Sequence, residues 1–285
     1  MGQSLKALKD RIRSIENTKK ITSAMEMISV AKLNRISDFA ASIKPYAESI
    51  ESILKNLLTS VEALRNPFLE KRGIPKTIGV CVITSDSGLC GAYNINIIRT
   101  AERFMNEKGY EKVKLICVGK RGASYFKSKK SAEVLHNFTG FNGRFVPAIF
   151  KEISDYLIEI YIKQEVDEVY VVSSHLAAGM VYSPVVDKFL NIEPTKGETI
   201  PYLLEPEGSE ILERLIPRFI NVKLNNILLQ AFTAEHSARS IAMKSATDNA
   251  KELLAALILR RNKIRQANIT QDIIEIISSS EALKG

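Results

Sequence analysis

The stretch Ala238-Arg239-Ser240-Ile241-Ala242-Met243-Lys244-Ser245-Ala246-Thr247-Asp248-Asn249-Ala250 decides the fold. Its small side chains let two helices approach closely. It lies within a tract, Ser209 to Ser280, that holds no Gly and a single Pro, Pro217. Apolar residues recur there at Ile211, Leu215, Val222, Ala231, Ala234, Ala238, Ile241, Leu253, Leu257 and Ile264. An uncapped helical pattern much longer than about 25 residues predicts a coiled coil. The other end of the chain mirrors it. From Gln3 to Leu64 there is no Gly and only Pro45, which should kink the helix or loosen one turn. The stripe there runs Leu5, Leu8, Ile12, Ile15, then Ile21, Met25 and Ile28, in steps of three and four. A helix of about 55 residues would extend roughly 80 Å at 1.5 Å per residue, more than a compact domain can bury. The simplest solution is that the two ends pair, antiparallel. The repeat is imperfect, so an irregular two-helix coil is expected, not a strict zipper.

Between these ends the pattern alternates. Thr77–Thr84 is a continuous apolar run, as in a strand buried on both faces. A turn, Ser85-Asp86-Ser87-Gly88, leads into a helix over Tyr93–Lys108. Val113–Val118 reads as a second strand, Gly119–Gly122 as the start of a helix, and Ala132–Phe138 as a third strand. Pro147 suits the first position of a helix through Ile162. Glu168–Ser173 is a further strand, and Val181–Leu190 one added at an edge. This order predicts a doubly wound, mostly parallel sheet. The fold class is therefore α/β with a long antiparallel two-helix coiled coil. Its parts are an N-terminal helix over 1–64, a central α/β domain over 75–206 and a C-terminal helix over 207–285.

Of the 285 residues 45% are apolar and 25% charged, a globular composition. The net charge of +8 is carried by the ends. Residues 1–44 hold nine cations against four anions, and residues 239–266 seven against two. These helices are suited to an acidic surface. No apolar run approaches the ~18 residues of a membrane span, and the start lacks the apolar core of a secretory leader. Cys81, Cys90 and Cys117 read as reduced core thiols, and His136, His175 and His236 are too far apart to suggest a metal site.

Catalytic chemistry finds one candidate, the turn at Ser85–Asn94. Gly88 and Gly91 could bring backbone amides to a phosphate at a helix start. The spacing lacks the dinucleotide and P-loop fingerprints, and Ser87 is not in a nucleophile elbow. A tight strand-to-helix turn, with Asp86 in a turn or cap, is the stronger reading. A nucleotide-binding α/β enzyme and a basic helical nucleic-acid-binding protein are the alternatives. The latter's affinity would fall steeply with salt.

Four segments then resemble a known family, the γ subunits of F-type ATP synthases. Asn17–Met27 is similar to that family's N-terminal helix signature. Ser85–Asn94 is similar to its first central turn. Glu235–Ala250 and Arg265–Ile276 are similar to its C-terminal helix. The likeness covers the chain in order. It implies a non-catalytic rotor shaft without a cofactor, turning inside a hexamer of α and β subunits, with ε and the c ring at its foot. By motif match, Met25, Arg239, Gln266, Thr270 and Asp272 correspond to contacts with β, and Tyr202, Leu204 and Glu205 to contacts with ε and the c ring. Asp272 stands where the family usually has Glu, Ser87 where Arg is common, and Ser278–Ser280 in place of a Gly/Ala run. The resemblance also implies a peripheral position on the cytoplasmic face of a bacterial inner membrane. The coupling ion, H⁺ or Na⁺, belongs to the ring.

Overall fold

A computed structural model describes residues 5–60, 66–70, 72–73, 75–129, 132–176, 182–192 and 208–282. Helix α1 spans Leu5–Ser60 and helix α5 spans Gly208–Ala282. Between them lie β1 (Ile78–Ile83), α2 (Tyr93–Lys108), β2 (Val113–Val118), α3 (Lys120–Lys129), β3 (Glu133–Phe138), α4 (Pro147–Ile162), β4 (Glu168–Leu176) and β5 (Tyr182–Leu190). The sheet order is β3-β2-β1-β4-β5. The first four strands are parallel and β5 closes one edge antiparallel to β4.

The chain forms two compact units. One is Met1–Ile28 with Ser240–Gly285; the other is Ser29–Arg239.

In the larger unit β1 is buried on both faces. Cys81 and Ile83 face one core with Phe150, Ile153 and Leu157 of α4 and with Ile36, Leu54, Ile216 and Leu228 of the long helices. Val80 and Val82 face the other core with Ile97, Ala101 and Met105 of α2, Phe126 of α3, and Ala234 and Ala238 of α5. Each Val, Leu, Ile, Phe or Met among them contributes on the order of 1.5–3 kcal/mol by leaving water. The sharp turn after β2 depends on Gly119. Its φ is +97°, and a Cβ there would lie 2.1 Å from the Thr84 carbonyl oxygen. All three cysteines are free and buried. Burial raises the Cys81 thiol and pushes Cys117 up to about 12.

α1 continues through Pro45, and α5 through Pro217. Each proline removes the N–H that would bond the carbonyl four residues earlier, that of Ala41 and of Glu213. Ser49 donates to the Pro45 carbonyl at 2.8 Å and Asn221 to the Pro217 carbonyl at 3.0 Å. No described helix is long and apolar enough to cross a membrane.

In the smaller unit the chain ends pair antiparallel. Leu8 and Ile12 pack on Leu257, with Ile15, Ile258 and Ile264 beside them. Further along, Thr247 Oγ1 lies 2.8 Å from Thr22 Oγ1 and also 2.8 Å from the Met243 carbonyl. As α1 advances from Leu8 to Thr22, its partner on α5 retreats from Leu257 to Thr247. The inward line on α1 differs from the expected stripe. In this unit Leu8 and Thr22 are buried and Ile15 partly so; in the larger unit Ser29, Ile36, Ile50 and Leu57 are buried and Ile43 partly so, each set at a seven-residue spacing. Ile21 and Ile28, expected in the seam, are 60% and 58% exposed, and Ile241 and Leu253 of α5 are exposed too. The seam at that level is made of small hydroxyl residues, one position further along.

A buried polar pair in a coiled-coil seam selects register, as misalignment leaves hydroxyls unsatisfied. Thr247→Val should lower the unfolding free energy of the full chain by about 1 kcal/mol in urea titration. Adding Thr22→Val should cost less than the two single effects summed, because the orphaned hydroxyl is removed with its partner.

Candidate functional site: a loop pinned by a buried arginine

In an open parallel sheet the crevice at the carboxyl ends of the strands, where connections reverse direction, is the usual ligand position. Here that point lies between β1 and β4. The loop after β1, residues 84–92, is built from its own side chains. Asn94 accepts the Ser85 N–H at 2.9 Å and donates to Ser85 Oγ at 2.8 Å and Cys90 Sγ at 3.1 Å. Ser85 Oγ donates to the Ser87 carbonyl at 2.6 Å. Leu89 (φ +62°) and Gly91 (φ +58°) both adopt the left-handed conformation, and Leu89 is exposed. For a leucine that conformation costs on the order of 1 kcal/mol.

Asp86 ties three loops together. Its Oδ1 accepts the Lys120 N–H at 3.0 Å, at the start of α3. Its Oδ2 accepts the N–H groups of Gly140 at 3.2 Å and Asn142 at 2.8 Å. The turn-or-cap expectation for Asp86 thus holds, with the cap reaching a helix some thirty residues away.

What faces this loop is α5. Tyr93 donates to the Ala231 carbonyl at 2.9 Å. Arg239, 6% exposed, donates from Nε to the Gly88 carbonyl and from Nη2 to the Ser87 carbonyl, each at 3.2 Å. Its Nη1 lies 2.7 Å from Glu235 Oε1 and 3.2 Å from His236 Nδ1. The loop therefore turns carbonyl oxygens, not amides, toward the crevice, and they hold the chain's own guanidinium. Because an arginine only donates, His236 Nδ1 must accept. The proton then sits on Nε2, which donates to the Gly143 carbonyl at 2.8 Å. Gly143 has φ +62°, and a Cβ there would lie 2.3 Å from that Nε2. The Glu235 carboxyl is raised by burial, against the pull of Arg239. His236 is lowered to about 4, first by burial and then by the nearby cations Arg239 and Lys32.

Beside this cluster, still within residues 29–239, lies a cleft of about 780 Å³ lined by Lys32, Arg35, Asp38, Phe39, Arg144 and Phe145. Lys32 donates to the Asn142 carbonyl at 3.0 Å, and burial and the charge of Arg144 lower its pKa. Among the described residues, Lys32, Arg35 and Arg144 have no ion pair.

The residues singled out by motif match are dispersed. Arg239 is spent within the larger unit. In the smaller unit Met25 is half-buried on α1, while Gln266, Thr270 and Asp272 are exposed on α5 beyond Leu257. Thr270 Oγ1 donates to the Gln266 carbonyl at 2.9 Å. Around them Ile269, Ile273, Ile274, Ile276 and Ile277 are also exposed. Tyr202, Leu204 and Glu205 lie outside the described residues. His236 and Lys32 were not foreseen. The visible signal for the first was Glu235 and Arg239 at i,i+4 spacing around it.

Long helices from both chain ends, flanking a doubly wound sheet, are the architecture of the ATP synthase central stalk. A family model described as ATP synthase matches residues 4–283. The ATP synthase gamma chain of Chlorobium phaeobacteroides is 38% identical over 295 residues, covering 99% of each chain. That of Chloroherpeton thalassium is 34% identical over 300 residues, covering 99% of this chain and 98% of the relative. Among solved structures, a chain of the Euglena gracilis mitochondrial ATP synthase superposes with TM-score 0.69 at 15% identity, over 98% of this chain and 94% of that one. A chain of the Tetrahymena thermophila mitochondrial ATP synthase, from its central stalk and c-ring, gives 0.61 at 20% identity, over 79% of this chain and 99% of that one. At those identities the structural likeness is one of fold. The chain belongs to the ATP synthase gamma chain family.

The His236 shift has a defined sign. Its folded value lies below the ordinary 6.5, so the stability it lends is present above pH 6.5 and is lost as pH falls toward 4. The loss should be on the order of 2–3 kcal/mol. Glu235, shifted upward, works in the opposite direction over the acid range. Substituting His236→Gln keeps a donor for Gly143 and removes the titration. Urea unfolding of the variant at pH 7 and pH 4.5 should show a smaller drop than the parent chain.

Proposed function

We propose that this chain is the central rotor shaft of an F-type ATP synthase. It couples ion-driven rotation of the c ring to conformational cycling of the catalytic β subunits, in synthesis or in hydrolysis. The nucleotide chemistry belongs to β; this chain is non-catalytic. Its partners are the α and β subunits, ε and the c ring. Its position is peripheral, at the cytoplasmic face of a bacterial inner membrane. The division into shaft segments 1–64 and 207–285 and a central domain 75–206 follows the same reading.

The observation that carries it is the antiparallel pairing of Leu8, Ile12 and Thr22 with Leu257 and Thr247, together with family membership over the whole chain. Two helices locked along a seam resist bending and twisting better than one. Gln266, Thr270 and Asp272 lie past the last paired level and are free to meet a partner, and the apolar residues around them suit a surrounding sleeve. In this proposal they make the direct contacts to β, with Met25 on the other helix. Arg239 acts through the loop it holds, and the cation cleft at Lys32, Arg35 and Arg144 offers a surface for acidic side chains. A contact of this kind drives β only by binding its conformations unequally. Tyr202, Leu204 and Glu205 are assigned to ε and the c ring.

The test is assembly followed by coupling. The chain, produced with α, β and the remaining subunits, should co-purify in a complex that hydrolyses ATP and pumps ions. Met243 is buried in the paired segment. Met243→Pro would remove a backbone donor there and cost about 3 kcal/mol or more. The variant should lose ion pumping at matched ATP hydrolysis. A complex with normal coupling after this change would contradict a stiff paired shaft.

A further inference from the structure

Lys223 is a half-buried charge that neither the loop cluster nor the proposed rotor contacts use. It lies on α5 within residues 29–239, on the wall of a cavity of about 280 Å³ lined also by Glu51, Lys55, Lys188, Asn191 and Asn226. The two neighbouring lysines are neutralised: Lys55 by Glu51 at 2.7 Å, and Lys188 by Glu168 at 2.8 Å. Lys223 is not. It donates to the Lys188 carbonyl at 3.1 Å and sits over the Phe189 ring, 5.6 Å from its centroid. Among the described residues it has no ion pair. Burial lowers its pKa, opposed by the more distant carboxylates of Asp187 and Glu51. An ammonium served by one carbonyl and one ring face, in a confined cavity, is poorly compensated. Such a site raises the share of the neutral amine relative to an ordinary lysine, and that is the nucleophilic form.

We propose that Lys223 is an acyl-acceptor site, its amine taking a short acyl group from an acyl phosphate or acyl thioester that enters the cavity. The ammonium first gives one proton to solvent. The nitrogen lone pair then forms a bond to the acyl carbon, and the bond from that carbon to the phosphate oxygen, or to sulfur, breaks. The leaving group departs with the electron pair and takes up the second nitrogen proton. The product is a neutral amide. Asn226 accepts from Gln230 at 3.3 Å through Oδ1, and its amide nitrogen donates to nothing else among the described residues. It lines the same cavity and is a donor for the new carbonyl in this proposal. The modification would erase a positive charge where α1, β5 and α5 line one cavity.

The test uses the full chain and acetyl phosphate, with site occupancy read by mass spectrometry between pH 7 and pH 10. Lys163 and Lys251 are internal references, exposed and each held above the ordinary lysine value by a carboxylate partner. At pH 7 Lys223 should be acetylated about threefold or more faster than either, since one unit of pKa changes the free-amine fraction tenfold. The ratio should shrink toward pH 10 and vanish in urea. Glu51→Gln, which removes an opposing carboxylate, should raise the Lys223 rate further. A Lys223 that stays unmodified while Lys163 and Lys251 react would overturn the proposal, as would a ratio unchanged by urea.

Discussion

The seam between the two chain ends is the constraint on which the smaller unit depends. Each helix leaves most of its surface in solvent, so neither can be held by burial within a single compact core. What remains is a narrow contact line, and it is economical. Leu8, Ile12 and Leu257 supply the apolar part, and the Thr22–Thr247 hydroxyl pair supplies the polar part. Apolar contacts alone tolerate sliding by a heptad. A hydroxyl pair does not, because a shifted register strands both groups. The seven-residue recurrence of burial on α1 is the period that keeps one face turned to a partner helix.

The larger unit solves a different problem. The loop that follows β1, at the carboxyl edge of the sheet, is held by a side chain of the same polypeptide. Arg239 meets one carboxylate, one imidazole nitrogen and two carbonyls. That set offsets much of the cost of burying the charge. It also makes the cluster interdependent: truncating the arginine would leave Glu235, 1% exposed, as an unpaired buried acid. Breaking such a pair typically costs about 3–5 kcal/mol. The left-handed backbone at Leu89 and Gly91, the carboxylate of Asp86 and the neutral His236 hold the loops of β1, β2 and β3 against α5.

Much of this was legible in the residues. The Tyr93–Lys108 helix, the strand at Val113–Val118, the helix beginning at Pro147 and the added antiparallel edge strand all stand where composition and turn residues place them. The inward line of the long helices was harder to read. Hydropathy favours Ile21 and Ile28, but a line that repeats every seven residues selects Thr22 and Ser29, whose size suits close approach; the Thr22 hydroxyl also finds an acceptor in the Lys19 carbonyl. The site was the least visible part. Arg239 stands in a basic segment and reads as a surface anchor, yet it lies in the core. Its partners Ser87 and Gly88 are some 150 residues away in sequence, a separation that periodicity cannot bridge.

Spin labels on exposed positions of the paired segment test the central claim most directly. With labels at Lys9 and Arg260, antiparallel pairing predicts a short distance, about 20 Å once label arms are added to an interaxial spacing of 8–10 Å. With labels at Lys9 and Lys244, 1.5 Å of rise per residue offsets the pair by about 24 Å along the axis, so the distance should be longer by about 10 Å. Two similar distances, or a shorter one to Lys244, would contradict the pairing and with it the shaft.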